Sequence, residues 1–491
     1  MSTTDRHAPP PTSEGPRGLT GSLGVGSIVF MVVAAAAPLT VIAGTVPLGI
    51  AAGNGAAFPT TFALCCVILL LFAVGFCAMS RHVPDAGAFY AYIARGLGRA
   101  AGTGAAFLAL VTYTAVQLAV YGYIGAVFDS LVQHWGGPAL PWWLWSVLAL
   151  AIVAVLGYRH IELSSRVLGT LLLAEVAIVL VLDVVVIGRG GGSPEGLSTA
   201  LVHPSAVVSG SLGIAIMFAI ASFIGFEATA VFRDEARDPQ RTIPRATYAA
   251  LLVIGVFYTL SSWAVVSAWG DTAAVEQATA DPGNMLITTI TNVLGPVGGD
   301  IAQVLLVTSM FAALLAFHNV LARYYFSLGG SGALPAACGR SHTRHRSPHI
   351  ASATQSVTAL VFVAVFATLG MDPVTQVFAW MAGTATVGVI ALMALTCAAV
   401  IVFFRRERVD TRPWHTVVAP VLGLAGLLMC LWLTVSNFPT LIGGSPALAT
   451  AIGAVLVLAF VFGLVWSRRR PATPPPPAPT SDAPSPATDA A

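Results

Sequence analysis

The sequence contains no lysine: all 23 of its basic residues are arginine. That absence removes the phosphate-binding loop ending in Gly-Lys-Ser or Gly-Lys-Thr, and with it Schiff-base chemistry on a lysine amine. An ATP-driven pump would need its nucleotide site on another chain. Charge of either sign is scarce, at 9% of 491 residues, where a water-facing domain uses about a quarter. With 56% hydrophobic residues and a mean hydropathy of +0.84, the chain reads as a polytopic membrane protein. Cysteine is rare too. Cys65, Cys66, Cys77, Cys397 and Cys430 fall in apolar runs and Cys338 in a loop, so none is placed for an oxidised extracellular pair and they read as buried apolar thiols. HExxH, GxSxG and paired-aspartate motifs are missing, which weighs against an intramembrane enzyme, and no run has the continuous polar face of a channel. Nothing calls for a cofactor or a nucleic-acid partner. The first nineteen residues hold no charged-then-apolar segment ending in a cleavage site, so no cleaved signal peptide is expected.

What is present is a series of twelve apolar runs near the ~20 residues that cross a bilayer. They lie at 21 to 50, 57 to 79, 102 to 131, 142 to 158, 164 to 188, 207 to 232, 246 to 269, 300 to 327, 352 to 370, 374 to 404, 415 to 436 and 446 to 467. An even number puts both termini on one side. If that side is the cytoplasm, 22 arginines fall at cytoplasmic ends or loops and Arg189 alone lies outside, as the positive-inside rule requires. The expectation is a multi-pass protein of the cell membrane with a cytoplasmic, Pro-rich N-terminus over 1–19. The tail over 471–491, PATPPPPAPTSDAPSPATDAA, has a proline density that favours extended disorder.

Two runs look broken. Residues 25 to 50, VGSIVFMVVAAAAPLTVIAGTVPLGI, are too long for one crossing and carry Pro38, Gly44 and Pro47, so the backbone from Ala34 to Pro38 is expected to unwind. In the sixth run the break is expected at Ser222 to Gly225. Unpaired backbone groups at membrane depth cost several kcal/mol each unless they face protein, water or a ligand, so two breaks point to a cavity. Half-helix N-termini suit a carboxylate and loose carbonyls suit an ammonium, which together describe a zwitterionic amino acid. The breaks open two five-span halves, 20–189 and 206–404, that would be inverted with respect to each other; residues 405–467 add helices 11 and 12. Glycine and proline kinks made for packing alone are the alternative.

At this point the residues resemble a known group. FIGFEATAVFRDEARDPQRTIPRA (Phe223 to Ala246), RHVPDAGAFYAYIARGLGRAAG after the second run, and HNVLARYYFSLGGSGALP after the eighth are similar to motifs of the amino acid, polyamine and organocation (APC) superfamily of transporters. The resemblance covers most of residues 20 to 405. It implies an all-α fold of twelve transmembrane helices, a five-plus-five inverted repeat with discontinuous helices 1 and 6, and alternating-access transport. It also implies that Ala35, Ala36 and Ala37, followed by Pro38, stand where the family meets the substrate carboxylate. Ala221 stands where relatives often carry a gating aromatic, so Phe218 or Phe223 would take that role. Some relatives use a lysine in the fifth span, which this chain lacks. Sodium-coupled relatives use paired hydroxyls on the eighth span, a place that Thr308 and Ser309 could fill. The partners so implied are a small-molecule substrate, membrane lipid and a coupling ion, H+ or Na+.

The ionisable residues within the runs are few, and each should face protein or a cavity. Glu227 follows the sixth-run break directly and reads either as a proton-linked gating or sensing group or as a structural acid pairing with loosened backbone. Glu175, in mid-run, reads as a proton relay or as a neutral acid bonded between helices. Asp183 lies nearer the outer end, where it is expected to reach water. On the third run Tyr113, Gln117 and Tyr121 share a stripe that could line the cavity. The substrate-binding set is therefore Ala35, Ala36, Ala37, Pro38, Tyr113, Gln117, Ala221, Ser222, Phe223, Ile224 and Gly225. With Glu227 the one fixed charge near it, a neutral amino acid is the first expected substrate, and a polyamine or other organic amine the second.

Overall fold

The computed structural model describes residues 23–83, 88–159, 165–340 and 348–469; both tails lie outside the described residues. The described residues are almost entirely helical, and the one extended pairing among them is an isolated bridge between Leu23 and Ala236. An α-helix satisfies its backbone within one segment, which is what a lipid solvent demands. In chain order the helices are α1 (Val25–Ala36), α2 (Pro38–Gly49), α3 (Phe58–Ser80), α4 (Ala88–Leu97), α5 (Arg99–His134), α6 (Trp142–Arg159), α7 (Ser165–Gly188), the single turn α8 (Pro204–Val207) and α9 (Leu212–Ala221). They continue with α10 (Pro239–Trp269), α11 (Asp271–Ala280), α12 (Met285–Leu294), α13 (Pro296–Gly330), α14 (His349–Thr368), α15 (Ala379–Glu407), α16 (Ala419–Leu441) and α17 (Pro446–Arg469).

Among the described residues ten helical stretches are long and apolar enough to cross a membrane, and α1, α6 over Trp142–Tyr158 and α12 are shorter apolar pieces. The apolar runs of the sequence fall on these helices, the first divided between α1 and α2 and the sixth continuing beyond α9 into a 3₁₀ segment. Three further helices, α4, α11 and α12, lie outside the twelve apolar runs. Their apolar faces are stripes rather than runs, and Ile93, Ala274 and Ile290 are fully buried on them. All six cysteines are buried and unpaired, Cys338 included.

Both expected breaks are present. Helix α1 ends at Ala36, and Ala37 takes a left-handed backbone (φ 48°, ψ 69°) that costs an alanine about 1–2 kcal/mol. Pro38 then opens α2 at its first position, where a missing N–H is no loss. All twelve residues of α2 are buried. The second broken element begins as α9, stops at Ala221, and passes through turns at Ser222 to Gly225 into a 3₁₀ segment, Phe226–Glu235. Gly225 sits at φ 114°, a conformation that only glycine adopts cheaply. The two broken elements are stitched together at one end: the Leu23 amide donates to the Glu235 carbonyl (2.9 Å), and the Arg237 amide to the Leu23 carbonyl (3.0 Å).

Helix α5 runs through the middle, with α4, α6, α13, α15 and α17 packed on it. Helix α17 stands at the edge, its buried residues being Leu456 and Gly463. At the arginine-rich end Arg241 pairs with Asp238 at 3.8 Å, and both side chains are exposed; such a pair contributes little.

Candidate functional site

The breaks face each other across a cavity of about 70 Å³. Its walls come from five places: Ala35, Ala36, Ala37, Thr40, Val41 and Thr45 around the first break, Ala221 and Ile224 at the second, Val116, Ala119 and Val120 on α5, Ala313 and Phe317 on α13, and Phe378, Ala382 and Ala385 at the start of α15. Half of these sixteen residues are alanine, so backbone rather than side chain forms much of the surface. No charged side chain lines it.

The polar atoms at the wall are hydroxyls and helix ends. Thr45 Oγ1 and Ser222 Oγ lie 3.0 Å apart, tying α2 to the second break. Thr40 Oγ1 donates to Ser309 Oγ on α13 (3.1 Å). The Tyr258 hydroxyl on α10 donates to the Ala36 carbonyl (3.4 Å). Helix α2 presents its N-terminus to the cavity and α9 its C-terminus, so partial positive and partial negative charge meet in one space.

Aromatic layers close the cavity on two sides. On one, Tyr123 and Phe378 have ring centroids 5.0 Å apart, and Tyr123 donates to the Gly283 carbonyl in the α11–α12 turn (3.1 Å). Phe378 ends a π-helical turn, Pro373–Phe378, that Asp372 caps through the Val374 and Thr375 amides. Gly44 lies directly against this pair: a Cβ there would stand 2.8 Å from Tyr123 and 2.9 Å from Phe378. On the other side Phe317, Tyr113, Tyr324 and Tyr90 form a chain of rings at 6.2, 5.7 and 5.6 Å.

Glu227 belongs to this second layer. It is 4% exposed, and its Oε1 accepts from the Tyr113 hydroxyl (2.5 Å) while Oε2 accepts from the Gly225 amide (2.9 Å). Both oxygens thus serve the break and its neighbour α5. Of the other positions read from sequence, Ala35, Ala36, Ala37, Ala221 and Ile224 line the cavity, whereas Pro38, Ser222, Phe223 and Gly225 shape it from behind. Tyr113 lies below it on Glu227. Gln117 is turned aside, donating to the Leu314 carbonyl (3.4 Å) and accepting from Gln355 on α14. Phe218 and Phe223 are fully buried away from it, and Phe223 packs against Phe62 and Tyr258.

The aromatic side chains in the cavity wall are Phe317 and Phe378, and neither Phe218 nor Phe223 is among them. A signal existed for Phe317, which follows Ser309 and Ala313 at intervals of four and so shares their face. Phe378 had none, because the π-helical turn before it shifts the register.

Glu175 on α7 is 4% exposed and faces the Ser309 hydroxyl and the Leu39 amide, the first N–H of α2. Thr308 donates to the Leu305 carbonyl of its own helix (2.9 Å), so the adjacent hydroxyls of α13 point different ways. Asp183 differs from its expectation: it does not reach water, being 1% exposed and accepting from the Ser261 hydroxyl of α10 (2.7 Å). His318 is likewise engaged, with Ser352 at 2.8 Å.

The family described as "Amino acid permease" matches residues 27–473. The chain is 23% identical over 297 residues to the low-affinity putrescine importer PlaP of Escherichia coli K12, an alignment covering 59% of this chain and 63% of the importer. The aligned region is therefore less than two thirds of that relative's length. Similarity to the branched-chain amino acid permease BcaP of Lactococcus lactis is 23% identity over 413 residues, covering 78% and 82% of the two chains. The serine/threonine exchanger SteT of Bacillus subtilis is 24% identical over 298 residues, covering 58% of this chain and 64% of its own.

Proposed function

Because the chain belongs to the amino acid permease family, a family of transporters rather than enzymes, we propose that it is a secondary transporter that carries a small neutral amino acid through the cavity between its two helix breaks. The observation that carries this reading is the pairing of a helix N-terminus and a helix C-terminus on one uncharged, alanine-walled space. The substrate carboxylate would lie at the start of α2. Pro38 there has no N–H, Leu39 faces Glu175, and Val41 bonds back to Ala37 (3.1 Å), which leaves the Thr40 amide. The ammonium would lie at the carbonyl end of α9, near Ala221.

Size supports a small substrate. The cavity is about 70 Å³, with Phe317 and Phe378 in its wall. A larger side chain would have to displace Phe317 or Phe378. Diamine transport, the activity in the putrescine importer's name, is the second reading. It would need an acceptor for a second ammonium, and no carboxyl lines the cavity, while both oxygens of Glu227 are already engaged.

In this reading the arginine-rich ends face the cytoplasm, twelve spans cross the cell membrane, and 20–189 and 206–404 are inverted repeats. The Tyr123–Phe378 layer is then the outer gate, and the Tyr113–Phe317–Tyr324 layer with Glu227 the inner one. Alternating access opens one at a time. The Thr308–Ser309 pair would serve sodium only if Thr308 turned from its own helix, so a proton is the favoured coupling ion. The test is uptake into liposomes containing purified protein, with labelled amino acids and amines and with proton and sodium gradients imposed separately. Accumulation of glycine, alanine or serine is expected; no accumulation or exchange of any solute by correctly inserted protein would contradict the reading.

A further inference from the structure

We propose that Asp183 is the entry point of a proton path along α7 that leads to Glu175 and is separate from the substrate cavity. The proposal rests on the transport reading above and adds where the coupling proton travels. Glu175, Val179 and Asp183 recur every four residues and so share one face of α7. The two carboxyls are eight residues apart, about 12 Å along the axis at 1.5 Å per residue. Neither lines the substrate cavity.

Asp183 is incompletely paired. Its Oδ2 accepts from Ser261, and its Oδ1 is buried without a partner. An ionised carboxylate in that position is expensive, and a proton on the free oxygen removes the charge. Among the described residues of the helices packed on α7, few groups could neutralise it otherwise, and Arg189 lies six residues on, just past the end of α7. Helices α1, α2 and α12, all in contact with α7, carry no titratable residue. On α10 the facing titratable group is Tyr258, while Arg241, Arg245 and Tyr248 lie at the arginine-rich end. On α13, Asp300 is paired with His134 at 2.8 Å and His318 with Ser352; Arg323, Tyr324 and Tyr325 lie toward its other end.

Polar side chains step from Asp183 toward Glu175. Ser261 holds Asp183. One turn deeper on the same helix, Tyr258 lies beside Glu175 and places its hydroxyl on the Ala36 carbonyl at the break. Ser262 does not take part, since its hydroxyl bonds the Tyr258 carbonyl of its own helix (2.6 Å). Asp183 is shut off from water in this conformation, and in the proposed cycle it takes its proton from the arginine-poor side when that side opens. The hydroxyls of Ser261 and Tyr258, with water bridging the intervals, each accept one proton and release another. Glu175 ends protonated and Asp183 returns to carboxylate. A neutral Glu175 is a weaker acceptor for the Leu39 amide and a poorer partner for the α2 dipole, so loading the proton loosens α7 from α2 and biases the first break.

The test uses full-length protein in liposomes with a trapped pH indicator, comparing wild type, Asp183→Asn, Glu175→Gln and Ser261→Ala. An inward proton gradient is expected to drive alanine accumulation by wild type, with acidification of the lumen when alanine is added. D183N should keep alanine–alanine exchange near the wild-type rate but lose gradient-driven accumulation at least about tenfold. E175Q should lose it as well. S261A leaves α7 untouched and should lower accumulation in the same sense, which keeps the proposal testable if D183N does not fold. Wild-type accumulation by D183N or by S261A would overturn the path. Exchange by wild type without any response to the proton gradient would overturn it too, leaving the transport reading intact, whereas a wild type that exchanges nothing would sink both.

Discussion

Ala37 shows how a single residue sets the geometry of this molecule. Its positive φ is one of two among the described non-glycine residues, and it is held because Pro38 cannot continue α1 and because α2 is buried on every side. Ala37→Gly should therefore raise thermal stability in detergent by about 1 kcal/mol or leave it unchanged. Ala37→Val, which adds β-branching at a left-handed position and bulk at the cavity wall, should lower both stability and uptake; a valine variant as stable as wild type would contradict the strained backbone. Tyr113 offers a second test. Tyr113→Phe leaves Glu227 Oε1 buried without its donor, a loss of about 1–3 kcal/mol, measurable as a lower melting temperature. A variant that melts with wild type would show that the pair holds nothing.

At the scale of elements, the breaks were legible because they are written in backbone chemistry. Proline cannot continue a helix and Gly225 alone accepts its φ cheaply, whatever surrounds them. Apart from Phe317, the aromatic layers were not legible, since which of Phe218, Phe223 and Phe378 reaches the cavity depends on the turns at the second break and on the π-helical turn before α15. Gln117 and Tyr113 illustrate the same limit: they share the stripe read from sequence, yet the cavity is met by Val116, Ala119 and Val120 beside them. Hydropathy likewise suggested that Asp183, close to the end of its run, would reach water, because burial by α10 is invisible to a one-dimensional scale. The layers make their own prediction. Gly44→Ala would put a methyl within 3 Å of Tyr123 and Phe378 and should slow exchange without changing which solutes compete. Phe378→Ala should admit larger amino acids, read as competition by leucine against labelled alanine, and unchanged competition would remove Phe378 from the cavity's boundary.

The whole molecule carries its charge asymmetrically, with arginine at one set of helix ends and Arg189 at the other. Because the native cysteines are all buried, orientation can be read from introduced ones at exposed positions. A membrane-impermeant maleimide should label Pro194→Cys in intact cells and Glu407→Cys only after permeabilisation; the reverse pattern would invert the assignment of inner and outer gates. The central claim is that a small amino acid occupies the space between the two breaks, and the capacity of that space tests it most directly. In liposomes, exchange of labelled alanine should be measured for wild type and for Ala313→Leu, whose larger side chain would fill much of the 70 Å³ cavity. The account predicts that wild type exchanges alanine and that correctly folded A313L loses at least about tenfold in affinity, some 1.4 kcal/mol; alanine exchange by A313L with wild-type affinity would contradict it.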